Sequence, residues 1–146
     1  MRAARSARLS SFNTPSTMTN PILVPVRLFP LLLFACTAPQ PDGNSLDVSA
    51  FASRLAKNDA QLVDVRTAAE YASGHIPGAL NLDQTGGQLE ERATELDKST
   101  PVLLYCASGR RSAAARKYLM DQGFHDAVDL AGGIASWTAA GKPIER

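Results

Sequence analysis

The run PVLLY, Pro101 to Tyr105, constrains the fold more than any other feature of the chain. A strand with one wet face alternates apolar and polar residues. A short run with no charged residue instead asks for burial on both faces, the situation of a strand inside a covered parallel sheet. Pro101, which cannot donate to a ladder, belongs at the edge of the run. Two further runs, AQLVDV from Ala60 and AVDL from Ala127, are short, mostly apolar and suited to strands, each with one aspartate. Ala79 to Leu82 offers another after the turn forced by Gly74, Pro77 and Gly78.

Helical patterns fill the intervals. Val48, Phe51, Ala52 and Leu55 share one face, with Asp47 or Ser49 able to cap the first turn. Thr67 followed three residues later by Glu70 has the spacing of a capping box, which predicts a short helix from Ala68 to Ser73. Leu89, Ala93 and Leu96 stand at helical spacing, and SAAARKYLMDQG predicts a helix from Ser112 ended by Gly123. GGIASWTAAG, from Gly132, adds a closing helix after a glycine turn. Strands alternating with helices imply an α/β fold, a central parallel sheet with helices on both faces. Ligands of such sheets sit at the carboxyl ends of the strands.

Cys106 stands at that end of its strand, followed by Ala107, Ser108, Gly109, Arg110, Arg111 and Ser112. A thiol between a strand and a helix faces the amides that the first helical turn leaves unpaired, which favours the thiolate. Small residues let several N–H groups converge on one point, and two arginines add positive charge. Taken alone, a cysteine here reads as a small buried hydrophobe. Two arginines and a glycine are poor companions for that role.

LVDVRTAAEYASGHIPGALNL (Leu62 to Leu82), YCASGRRS (Tyr105 to Ser112) and VDLAGGIASW (Val128 to Trp137) resemble, in order, three signatures of the rhodanese family of sulfurtransferases. The resemblance covers nearly all of Leu46 to Arg146. It implies a rhodanese-like fold with about five parallel strands. It also implies a single-domain thiosulfate sulfurtransferase without metal or organic cofactor, in which Cys106 is the nucleophile. Ala107 to Ser112 would hold the persulfide, and Arg110 and Arg111 would meet the charge of a small anionic donor; the acceptor would be cyanide or a thiol. Asp64 and Arg66 are expected to support the strand end, and Ser112 to cap the following helix. His75 lies in a turn and His125 at the surface, so neither is assigned a role; Trp137 is expected in the core.

Dual-specificity phosphatases and related arsenate reductases share this fold but carry C-x5-R. Here the seventh residue of the loop is Ser112 and the arginine arrives one place early, at Arg111. The tighter ring favours a sulfur atom over a tetrahedral phosphate. A rhodanese-like module that carries sulfur or binds a partner with little turnover is the other reading. Inactive modules often lack the loop cysteine, and this chain has it.

The remaining calls concern the N-terminal part and the charge. All 14 acidic residues follow Cys36, whereas four of the 15 basic ones precede it, so residues 36–146 sum to 11 − 14 = −3. A mildly acidic domain without a basic run lacks the footprint of a nucleic-acid binder. Residues 1–35 read as a secretory signal with a charged start, an apolar middle and a small-residue exit. The apolar run Leu28 to Ala35 is too short to span a bilayer. LFAC, Leu33 to Cys36, resembles a lipobox, which implies lipidation of Cys36, with the lipid as the sole membrane attachment. A cleaved signal without lipid and an organellar presequence stay open, and Met18 offers a second start that would set residues 1–17 aside. Residues 36–45, rich in Pro, Gly and polar residues, form a tether, and 46–146 form the domain. The expected location is the periplasm or cell envelope, and the expected state a monomer or weak dimer.

Overall fold

The computed structural model describes residues 43–146. The leader, Cys36 and most of the tether lie outside the described residues. Within them, eleven elements follow one another. β1 (Ser45–Leu46) leads to α1 (Val48–Leu55), β2 (Gln61–Asp64), α2 (Ala68–Ser73) and β3 (Leu80–Asn81). α3 (Gln88–Arg92) runs into a 3-10 turn (Ala93–Glu95), then β4 (Val102–Tyr105), α4 (Arg110–Asp121), β5 (Ala127–Leu130) and α5 (Gly133–Ala139). The five strands are all parallel, in the order β1-β5-β4-β2-β3.

The central strand β4 is buried at every position, as its composition requires. Successive side chains point to opposite faces. Val102 and Leu104 therefore join Val63, Leu89, Ala115 and Leu119 in one core, while Leu103 and Tyr105 join Phe51, Leu62, Leu130 and Trp137 in the other. α3 and α4 thus cover one face, α1 and α5 the other. Each fully buried aliphatic side chain contributes about 1.5–3 kcal/mol. Trp137 is a core residue, edge-on to Phe51 with ring centroids 6.1 Å apart, and its indole N–H donates to Pro143 O at 2.8 Å.

Three details differ from the pattern read in the sequence. β1 has only two residues and pairs Ser45 with Asp129 and Leu46 with Leu130 at the sheet edge. The segment after Gly87 is a broken helix: Leu96 N–H bonds Ala93 O in a tighter turn, yet Leu89, Ala93 and Leu96 all reach the core. α4 starts at Arg110, two residues before Ser112. β5 also carries a charge inside. Asp129 is buried, accepting from Arg116 Nε at 2.8 Å and from Ser45 Oγ at 2.9 Å. Removing one partner of such a pair typically costs about 3–5 kcal/mol.

Candidate active site

β4 delivers Cys106 to the carboxyl end of the sheet, and α4 begins four residues later. Gly109 makes the bend with φ +97°, a left-handed conformation that bulkier residues resist. It serves as the N-cap of α4 without supplying a side-chain cap, so the first amides of the helix are left free to turn inward. Gly109 N–H donates to Cys106 Sγ at 3.1 Å. The Ser112 hydroxyl lies 3.6 Å from Sγ and 3.0 Å from Gly109 O, and its single hydrogen can serve either acceptor. Ser112 is therefore no cap: the glycine takes that position and draws the serine into the first helical turn, facing the sulfur.

Cys106 is 1% exposed. Burial is the largest influence on the thiol and pushes its pKa up. The amide and hydroxyl of Ser112 and the amides of Ser108 and Gly109 together outweigh it, so the pKa lies below that of an ordinary cysteine. Hydrogen bonds that favour the charged form have won over desolvation. The result is a thiol whose ionised form is favoured by the N–H and O–H donors around it.

The two arginines divide. Arg110 is exposed at the start of α4. Arg111 turns its planar fork to Glu70, with Nη1–Oε2 at 2.9 Å and Nη2–Oε1 at 2.7 Å. Glu70 is already held by the capping box of α2, where Oε2 accepts from Thr67 N–H at 3.0 Å and from the Thr67 hydroxyl at 3.1 Å. The hydrogen bonds from Arg111, assisted by Thr67, hold the Glu70 carboxyl at about 2. Arg111, expected to meet the charge of a donor, has its fork on Glu70 instead, a preorganised carboxylate that matches its geometry. Its charge still acts on Cys106, and the thiolate in turn raises the arginine's own pKa after the larger effect of Glu70.

Asp64 and Arg66 are buried and spend their polar atoms on one another. Arg66 Nη2 reaches Asp64 Oδ2 at 2.6 Å and Gly74 O at 2.8 Å, which ties the end of β2 to the turn after α2. Ala107 is half-buried and Ser108 exposed in the loop. His75 stacks on Tyr71 at 3.7 Å, and its Nε2 lies 3.2 Å from Glu145 Oε1, so it docks the C-terminal residues. His125 is exposed.

Glu70 and Gly133 escaped the site reading. The capping-box spacing pointed to a helix start and hid the second use of the carboxylate. The consecutive glycines 132 and 133 were visible as a turn, without sign of what they pack against. A Cβ on Gly133 would strike Cys106 O and lie 2.6 Å from Ala107 C.

Comparison with known proteins agrees with this geometry. Residues 47–140 match the model of the rhodanese-like domain family. A sulfurtransferase of Allochromatium vinosum is 43% identical over 102 residues, covering 69% of this chain and 94% of that protein. The thiosulfate sulfurtransferase GlpE of Coxiella burnetii is 37% identical over 83 residues, 57% of this chain and 76% of the relative. The crystal structure of a rhodanese-related protein from Thermoplasma volcanium superposes with a TM-score of 0.63 at 29% identity, covering 70% of this chain and 97% of that one. With a parallel five-stranded sheet and a cysteine loop at its carboxyl end, the chain belongs to the rhodanese family of sulfurtransferases.

Proposed function

We propose that the protein is a thiosulfate sulfurtransferase that works through a persulfide on Cys106. The Cys106 thiolate attacks the outer, sulfane sulfur of thiosulfate. The sulfur–sulfur bond of the donor breaks, and sulfite leaves with its electron pair. The outer sulfur of the resulting persulfide is then attacked by cyanide or a thiolate. That bond breaks toward Cys106, returning the thiolate and releasing thiocyanate or a new persulfide. One difficult transfer becomes two easier ones.

The observation that carries this reading is the donor ring around Sγ, with Gly109 N–H at 3.1 Å. Such preorganised donors stabilise negative charge without rearranging during the reaction. Arg110, exposed beside the loop, supplies attraction for an anionic donor.

Intact-protein mass spectrometry of the full chain before and after thiosulfate tests the proposal. The expected result is a gain of about 32 Da, one sulfur atom, that cyanide removes and the Cys106→Ser variant never acquires. A folded wild type that gains no mass would sink the donor assignment and favour a module that binds without turnover.

A further inference from the structure

The loop that surrounds Cys106 Sγ is itself held from behind. Ile134 N–H donates to Cys106 O at 2.8 Å, and Ala135 N–H lies 3.3 Å from Ala107 O. Both amides belong to the first turn of α5, where no intrahelical partner exists for them. They can approach only because residue 133 is glycine. A Cβ there would collide with Cys106 O and sit 2.6 and 2.7 Å from Ala107 C and O, all backbone atoms. Gly133 also has φ +59° and is buried. On the other side, a Cβ on Gly109 would lie 3.0 Å from Gly132 N. Two glycine turns are packed backbone to backbone.

The geometry of the peptide unit gives this contact a consequence. The peptide bonds are trans, so the C=O of one residue and the N–H of the next point in opposite directions across one plane. The plane joining Ala107 to Ser108 has its carbonyl turned toward Ala135, so its N–H turns the other way, into the loop whose next amide, Gly109 N–H, donates to Cys106 Sγ at 3.1 Å. Holding the first aims the second. We propose that the Gly132–Gly133 turn is a positioning device: it lets α5 grip the carbonyls of Cys106 and Ala107, and so directs the loop amides at the sulfur. Gly133 is the positioning residue, acting through the loop and touching no substrate. The proposal rests on Cys106 being the reacting thiol, and deepens that assignment.

The test is the acidity of Cys106 in the full chain, read from the pH dependence of its alkylation by iodoacetamide. Mass spectrometry of the peptide containing Cys106 keeps the signal apart from Cys36. Gly133→Ala is expected to raise the Cys106 pKa by about one unit, leaving roughly tenfold less thiolate below that pKa. Gly141→Ala is the control. Gly141 also has a positive φ, +68°, but a Cβ there meets nothing within 4 Å. It introduces comparable backbone strain away from the loop, and should leave the thiol unchanged.

A folded Gly133→Ala protein with wild-type thiol acidity would overturn the proposal, as would an equal shift in Gly141→Ala. If Gly133→Ala does not fold, Ala135→Pro decides the matter. It removes the N–H facing Ala107 O and puts a ring carbon in its place, at an exposed residue of the first turn that has no intrahelical bond to lose. A rise of about half a unit, roughly threefold in thiolate, is expected; no rise would overturn the idea. Alkylation needs no sulfur donor. An acidic, glycine-dependent thiol that thiosulfate fails to modify would therefore refute the donor assignment while leaving this inference standing.

Discussion

The starts of α2 and α4 solve the same problem in opposite ways. Any helix begins with amides that lack intrahelical partners. At α2 the chain satisfies them itself: Thr67 accepts from Glu70 N–H at 3.3 Å, and Glu70 reaches back to Thr67 N–H at 3.0 Å. At α4 the cap is Gly109, which has no side chain to offer; its own N–H donates to Cys106 Sγ, and the Ser112 amide of the first turn also favours the charged sulfur. A closed cap serves stability, whereas an open one stores binding capacity for an anion. The two ends are also joined, because the Glu70 carboxylate that closes α2 takes the fork of Arg111 from α4.

The same substitution at both caps separates these roles. Gly109→Ala should have the larger effect on chemistry. It forces a side chain into φ +97° and within 3.0 Å of Gly132 N, so the loop must shift. Persulfide formation, followed by stopped-flow mixing with thiosulfate, should slow by about a hundredfold, as for loss of one oxyanion-type donor. Thr67→Ala should cost about 1 kcal/mol of stability in urea denaturation, the usual worth of a side-chain cap. Its persulfide rate should stay within about twofold of wild type, since the donors to Sγ are untouched. Equal rate losses in the two variants would break the distinction between a structural and a functional helix start.

These cap residues also mark what can be read from a sequence. The Thr67–Glu70 signal spans four residues and led to Ala68–Ser73, the bounds the structure has. PVLLY was legible because burial on both faces leaves an unbroken apolar run. The position of Cys106 followed from the strand end, a local inference. Contacts between distant residues were not legible in the same way. β1 is two residues paired with a strand more than eighty positions away, too short to leave a pattern. Glu70 and Arg111 are 41 residues apart, and either had several plausible partners. Ser112 was read as a cap because its type suits one. What displaced it was the left-handed bend at Gly109, which moved the helix start two residues upstream. Gly133 marks the limit most clearly, since its importance lies in the backbone atoms that fill the place of its absent side chain.

The link between the two helix starts should have the smallest effect, and its pH dependence gives its sign. The Glu70 carboxyl is held at about 2, against an ordinary value of 4.5, first by Arg111 and then by Thr67. A depressed carboxylate pKa means that the folded state binds the proton less readily than the unfolded one. The stabilisation is therefore fully present above the ordinary value and is lost as pH falls through about 2. The pair is partly exposed, with Glu70 35% open to solvent, so screening holds its contribution below about 1 kcal/mol. Glu70→Gln keeps an amide oxygen able to accept from Thr67 but removes the charge opposite Arg111. Denaturation at a series of pH values should show this variant slightly less stable than wild type at neutral pH, with the difference closing as pH falls toward 2. A difference that widened on acidification would mean that the charge on Glu70 opposes folding, and that Arg111 is turned from the donor's path by some other contact.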